Sequence, residues 1–223
     1  MLEPVDMGLP SGLLWSSVDL DYTKPGNVAE TPFTYMKSFF SWGNVDGHNP
    51  FPDRNRFAYN WGGVNSQAPW YDGQVYGSTQ GESLEGDIPL SMDAAQVLLG
   101  SPWRMPASAE FKELFDNCDF VQADGTTVID AGTTDKRVTV NGVVGIYLKS
   151  KNNGNLLFLA CSGYGLGSTW NFRGSYGNYW SASFYSAARA RYLYFFSGGV
   201  NPQSNNNRCN GFAVRPVYDP SLL

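Results

Sequence analysis

The sequence predicts a single α+β domain spanning residues 1–223. Three observations carry this reading. Two apolar-patterned stretches with helix punctuation lie between residues 91 and 117. Short β-rich segments separated by tight-turn signals follow residue 137. The composition, with 25 Gly, 13 Pro and 15% aromatic residues, calls for many turns around an aromatic-rich core. With 42% apolar and only 16% charged residues the chain is not of the disordered type, and neither a tandem repeat nor a linker divides it.

The elements follow in order. VDMGLPSGLLWSSVDL reads as strand material punctuated at Pro10, Ser11 and Gly12, with Leu13, Leu14 and Trp15 for the core. Residues 21–80 are loop-like, and 45–85 read as an insertion; Phe39, Phe40, Trp42, Trp61 and Trp70 are the aromatics that would hold this region together. SMDAAQVLLG predicts a helix with Ser91 as N-cap and Gly100 as stop. The second helix, about 107–117, places Phe111, Leu114 and Phe115 on one face, with Glu110 as half of a capping box whose other half, Ala107, has no hydroxyl. RVTVNGVVGIYLKS is a hairpin about Asn141-Gly142, and KNNGN leads into a second one. GYGLGSTWNFRGSYG reads as a glycine-rich loop, and NYWSAS, RYLYFFSG and FAVRPVY as the last strands.

Several functions lack their chemistry. The lone histidine, His48, sits in a Gly/Asn/Pro loop and has no second histidine to complete a metal triad. No GxSxG, P-loop or GxGxxG-after-strand motif is present, so no enzyme activity and no cofactor are expected. Glu82, Glu85 and Asp87 lie close together but lack calcium-loop spacing. Cys118, Cys161 and Cys209 form no metal motif; Cys118 and Cys161 read as buried thiols. Acids outnumber bases nineteen to ten up to Lys151, whereas five scattered arginines and a single acid follow it. With a formal net charge of −5 the chain is not expected to bind nucleic acid. No apolar run suits membrane insertion, and no signal peptide is visible at the start.

VDMGLPSGLLW, FFSWGN, DAAQVLLGSPWRMPASAEFKELFDNC, LLFLACSGY, GNYWSAS and NNNRCNGFAVRPV together resemble the Fibrobacter succinogenes major paralogous domain family, over nearly the whole chain. The resemblance implies a C-type lectin-like fold: two helices, a small twisted antiparallel sheet and long irregular loops. It also implies kinship with variable proteins of diversity-generating retroelements in gut Bacteroidetes or their phages. There, template adenines are mutated, so AAY codons for Asn become any NNY codon, which never encodes Lys, Glu, Gln, Met or Trp. None of those five residues occurs from 181 to 201, and the following stretch is rich in Asn as an unmutated template would be.

The resemblance thus implies a variable region at about 181–210 and a hypervariable ligand-binding protein. It would be extracellular, on a cell surface or a phage virion such as a tail fibre, and would recognise a protein or glycan ligand. The alternative is a fixed adhesin or glycan-binding module, with Trp61, Trp70 and Trp170 stacking on sugars. The EPN and WND signatures of calcium-dependent sugar binding are missing, as is the cysteine pair of formylglycine-generating enzymes on the same fold. The core is expected to comprise Trp15, Trp103, Phe111, Leu114, Trp180, Leu193, Phe195 and Phe212. Strand alternation then sends Tyr192, Tyr194 and Phe196 outward. The expected contact residues are Phe184, Tyr185, Ser186, Ala187, Ala188, Arg189, Arg191, Tyr192, Tyr194, Phe196, Ser204, Asn206 and Cys209, with residues 169–172 bordering them. Rigid aromatics and arginines among small spacers make a paratope-like mixture.

Overall fold

The computed structural model describes residues 2–43, 45, 87–166, 169–186, 189–208 and 210–223. Its elements in chain order are β1 (Pro4–Asp6), β2 (Leu14–Ser16), α1 (Ala94–Leu99), β3 (Trp103–Arg104), α2 (Ser108–Asp116), β4 (Cys118–Phe120), β5 (Arg137–Val140), β6 (Val143–Ser150), β7 (Leu156–Ala160), β8 (Tyr164–Leu166), β9 (Thr169–Asn171), β10 (Gly177–Ser186), β11 (Arg189–Phe196), β12 (Gly199–Asn207) and β13 (Val217–Tyr218). Among the described residues strand accounts for 42% and helix, short 3-10 turns included, for 14%, in four sheets and two short α-helices. The protein is therefore mainly β, which corrects the expected α+β, C-type lectin-like class. The difference arises in two places where composition argues against strands. The glycine-rich stretch after Gly163 folds as the β8–β9 hairpin, and the asparagine-rich tail forms the nine-residue β12. Both are stabilised by ladder bonds to a neighbour rather than by intrinsic propensity.

One sheet joins the two ends of the chain in the order β1-β2-β13-β3, and β10-β11-β12 form another. In the third, β6 pairs with β4, β5 and β7. The β5–β6 turn is tight because Asn141 and Gly142 both take positive φ, 49° and 81°, as a two-residue type I′ connection requires. Asp93, not Ser91, caps α1: its Oδ1 accepts from the N–H groups of Ala95 (2.8 Å) and Gln96 (3.0 Å), and its Oδ2 from Met105 (2.8 Å). Burial pushes this carboxyl up to about 6 despite those donors. Glu110 completes its half of the box on α2, accepting from the Ala107 N–H at 2.6 Å while holding Arg104. Arg104 also reaches Asp219, which ties the helix start to the C-terminal strand.

The β10-β11-β12 sheet is covered on both faces. Tyr179, Leu193 and Phe195 face the main core with Trp15, Phe111 and Leu114. Trp180, Ala182, Phe184, Ala190 and Tyr192 face a second cluster with Phe40, Trp42, Ile88, Phe212 and Val214. The irregular segment carrying Phe40 and Trp42 is held there by indole bonds in both directions: Trp42 Nε1 donates to Ser181 O (2.9 Å) and Trp180 Nε1 to Phe40 O (2.7 Å).

A buried ion pair joins the layers. Arg215 is fully buried, and its Nε donates to Asp19 Oδ1 at 2.5 Å. Its Nη1 donates to the carbonyls of Ser16 and Ser17 (3.2 Å each) and its Nη2 to that of Phe158 (3.0 Å). The hydroxyl of Tyr179 donates to Ala160 O at 2.8 Å and lies 3.4 Å from Asp19 Oδ2.

Gly163, at φ 74°, opens the β8–β9 hairpin, and a Cβ there would lie 2.1 Å from the carbonyl oxygen of Asn171. Gly163→Ala combines left-handed strain with a backbone clash, so it is expected to cost about 1–3 kcal/mol. Thermal unfolding checks this: the midpoint should fall by several degrees, whereas an unchanged midpoint would mean the hairpin is not fixed as described.

Candidate functional site

The expected contact segment occupies β11, the flanking half of β10, and β12. The structure divides its residues between the two faces of the sheet. On the first face, Arg191 and Asn205 are directly opposed partners, and Arg189 Nη1 donates to Asn205 Oδ1 (3.1 Å), which places all three side chains together. The guanidinium of Arg191 lies over the Tyr185 ring at 5.0 Å, and its Nη1 donates to Gln203 O at 3.0 Å. Tyr185 is 44% exposed, and Arg189 is exposed. These strand residues can present contacts because β10 is shifted in register between Phe184 and Ser186, a bulge that turns Tyr185 outward.

On the second face the sequence reading needs correction. Tyr192 is only 5% exposed: its ring packs on Phe212 (4.8 Å) and against Trp180 (5.9 Å). Phe184, at 6%, packs against Trp42. Alternation did place Tyr192, Tyr194 and Phe196 on one face, but Phe40, Trp42 and Phe212 form a roof over its inner half. Asn206 is also a supporting residue. Its Oδ1 accepts from Asn207 N–H and Asn210 Nδ2, and its Nδ2 reaches the Tyr192 hydroxyl at 3.5 Å. Ser204 pairs with Tyr192 across the strands and is half-buried, as is Ser186. Ala187, Ala188 and Cys209 lie outside the described residues, as do Trp61, Trp70, His48, Glu82, Glu85 and nearly all of the expected insertion.

Tyr194 and Phe196 emerge beyond the roof. They stack on each other at 5.0 Å, and Tyr176 meets both edge-on, at 5.5 and 5.6 Å. Tyr176 stacks on Phe172 (4.3 Å), and Phe172 on Tyr164 (5.9 Å). The result is a continuous half-exposed aromatic strip from Phe196 to Tyr164, in which Phe172 is 50% exposed and held at φ 56°. Beside it, Tyr194, Phe196, Val200, Asn201 and Ser204 line a hollow of about 340 Å³. Burial and the neighbouring Tyr176 push the Tyr194 phenol well above its ordinary value, so it stays a neutral donor. Tyr164 and Tyr176 were missed, and Phe172 was expected only at the border of the contact set, because the glycine-rich stretch carries no period that assigns them a face. Their one sequence signal is the aromatic-glycine alternation itself.

The remaining chemistry is sparse. Among the described residues no group of three His, Cys, Asp or Glu side chains could hold a metal, and no helix is long and apolar enough to cross a membrane. Cys118 and Cys161 are buried, and burial pushes both thiols up to about 12. Trp170 is not free to stack on a ligand. Arg173 covers it at 4.1 Å, Phe39 packs against it, and its Nε1 donates to Ser162 O. No family model, curated protein or solved structure matches the chain.

Proposed function

We propose that this chain is a hypervariable ligand-binding protein whose recognition surface is rewritten by a retroelement and displayed outside the cell or on a virion. One observation carries the reading: the segment lacking Lys, Glu, Gln, Met and Trp is partitioned cleanly by burial. Phe184, Ala190, Tyr192, Leu193 and Phe195 are buried, while Tyr185, Arg189, Arg191, Tyr194 and Phe196 reach solvent. The first group supports the fold. The second supplies aromatic area and directed donors on paired strands, at positions whose replacement costs the core little. Recognition rather than catalysis also suits a surface on which arginines, tyrosines and amides are gathered without a nucleophile–base pair.

Deep sequencing of the 3′ end of the gene in a growing source population tests this. Codons 185, 189, 191, 194 and 196 should vary, and codons 180, 190, 192, 193 and 195 should stay constant or change only conservatively. Uniformity across both groups would remove the diversification and leave a fixed adhesin.

A further inference from the structure

Arg189 and Arg191 are the two cations of β11, and among the described residues neither is ion-paired with an acid. Asp87, which bridges to Ser183 on β10, accepts the Ser183 hydroxyl at 2.6 Å and pairs with neither arginine. The two cations lie two residues apart on one face of one strand, in a chain of net charge −5. Both are nevertheless held in place. Arg189 is anchored on Asn205, and Arg191 is clamped between the Gln203 carbonyl and the Tyr185 ring. Each anchor uses one N–H of a guanidinium that has five, so most of the donor fork stays available in a fixed orientation. The two residues are one two-residue strand step apart, about 7 Å.

We propose that this pair is a receptor for an extended acidic peptide segment of a partner protein, one carrying carboxylates on alternate residues. The match is geometric. Side chains on one side of an extended peptide repeat at the same about 7 Å step as the arginines, so successive alternate carboxylates meet successive guanidiniums. Two adjacent carboxylates point to opposite sides, so only one of them faces the sheet. Tyr185 adds a flat apolar floor under Arg191, where a desolvated cation gains from the ring. The proposal rests on the reading of this strand face as a recognition surface and names the ligand chemistry for the present sequence.

The test is fluorescence anisotropy with the full chain and three labelled octapeptides: an alternating one with two aspartates separated by a single serine in a serine background, a contiguous one with two adjacent aspartates in the same background, and serines alone. The alternating peptide should bind the tightest, and its affinity should weaken with added salt. Arg189→Gln and Arg191→Gln should each weaken it about tenfold or more, the loss of one charge-assisted bidentate contact. Arg191→Lys should recover only part, since charge is kept and the fork is lost. Arg189 is exposed, so its variant reads binding even if Arg191→Gln disturbs the fold. Absence of binding at low salt, equal affinity for the alternating and contiguous peptides, or indifference to both glutamine variants would overturn the proposal. So would capture of a sulfated octasaccharide by the same arginines without peptide binding. Those results, obtained alongside codon variation confined to the exposed positions, would leave the recognition reading intact.

Discussion

Asp19→Ala is expected to destabilise the protein by about 3–5 kcal/mol, because it leaves the guanidinium of Arg215 fully buried without a counter-charge. For a chain of this size that corresponds to a fall in the thermal midpoint of roughly 6–20 °C. Arg215→Met should cost a similar amount for a different reason. It strands the Asp19 carboxylate and removes the donors that serve the carbonyls of Ser16, Ser17 and Phe158. The double variant, Asp19→Ala with Arg215→Met, should be more stable than the sum of the single losses, since removing both charges together leaves no isolated ion. Urea unfolding of the four proteins measures this cycle. Single variants within about 1 kcal/mol of the parent would mean that water reaches the pair and that it is not the internal tie described above.

The second large effect separates two adjacent aromatics on one face of β11. Tyr192→Ala should cost about 3–5 kcal/mol, the range for truncating a buried aromatic, because it removes the ring packed on Phe212 and Trp180. Tyr194→Ala removes a half-exposed ring from the strip with Tyr176 and Phe196, and about 1 kcal/mol is expected. Binding should show the reverse order. Tyr194→Ala should weaken a ligand seated on the strip while the fold persists, and Tyr192→Ala should act on binding only through unfolding. Equal stability losses at both positions would contradict the division into support and contact. A conservative Tyr192→Phe variant loses only the hydroxyl contacts with Ser204 and Asn206 and should stay within about 1–2 kcal/mol of the parent.

Much of the hairpin architecture was legible because its signals are local. Asn141-Gly142 specifies a turn by backbone conformation alone, and the burial of Phe111 and Leu114 follows from their spacing on α2. Leu193 and Phe195 do lie in the core, but it was the resemblance that chose their face, and the alternation of RYLYFF only set the neighbours opposite them. Burial of Tyr192 and Phe184 was not legible, because the residues that cover them come from distant parts of the chain. Phe40 and Trp42 lie in a segment with no period, and Phe212 pairs with Phe40 only through an isolated bridge. A two-residue period assigns a residue to a face, but it does not say whether that face is roofed. The same limit hid β12. Its asparagines disfavour strand on propensity, and only pairing with β11 across seven registered positions makes it one. The class of the fold was misjudged for that reason: helices announce themselves within ten residues, whereas strands built from Gly and Asn depend on their neighbours.

The position of β12 bears on how the protein tolerates crowding at high concentration. The outer side of β10 is already occupied: Trp180 N–H bonds to Ala213 O, Ala182 N–H to Pro106 O, and Ile88 N–H to Ala182 O. Among the described residues no strand lies beyond β12, which makes it the edge strand of the described sheet. Pro202 stands in the middle of that edge and offers no N–H, and the pairing register jumps there, between Tyr192–Ser204 and Tyr194–Asn201. A foreign strand laid along β12 loses a donor and meets a kink at its midpoint, so it cannot propagate a continuous ladder. The face that carries Tyr185, Arg189 and Arg191 is thus bordered by an edge that resists fibrillar self-association.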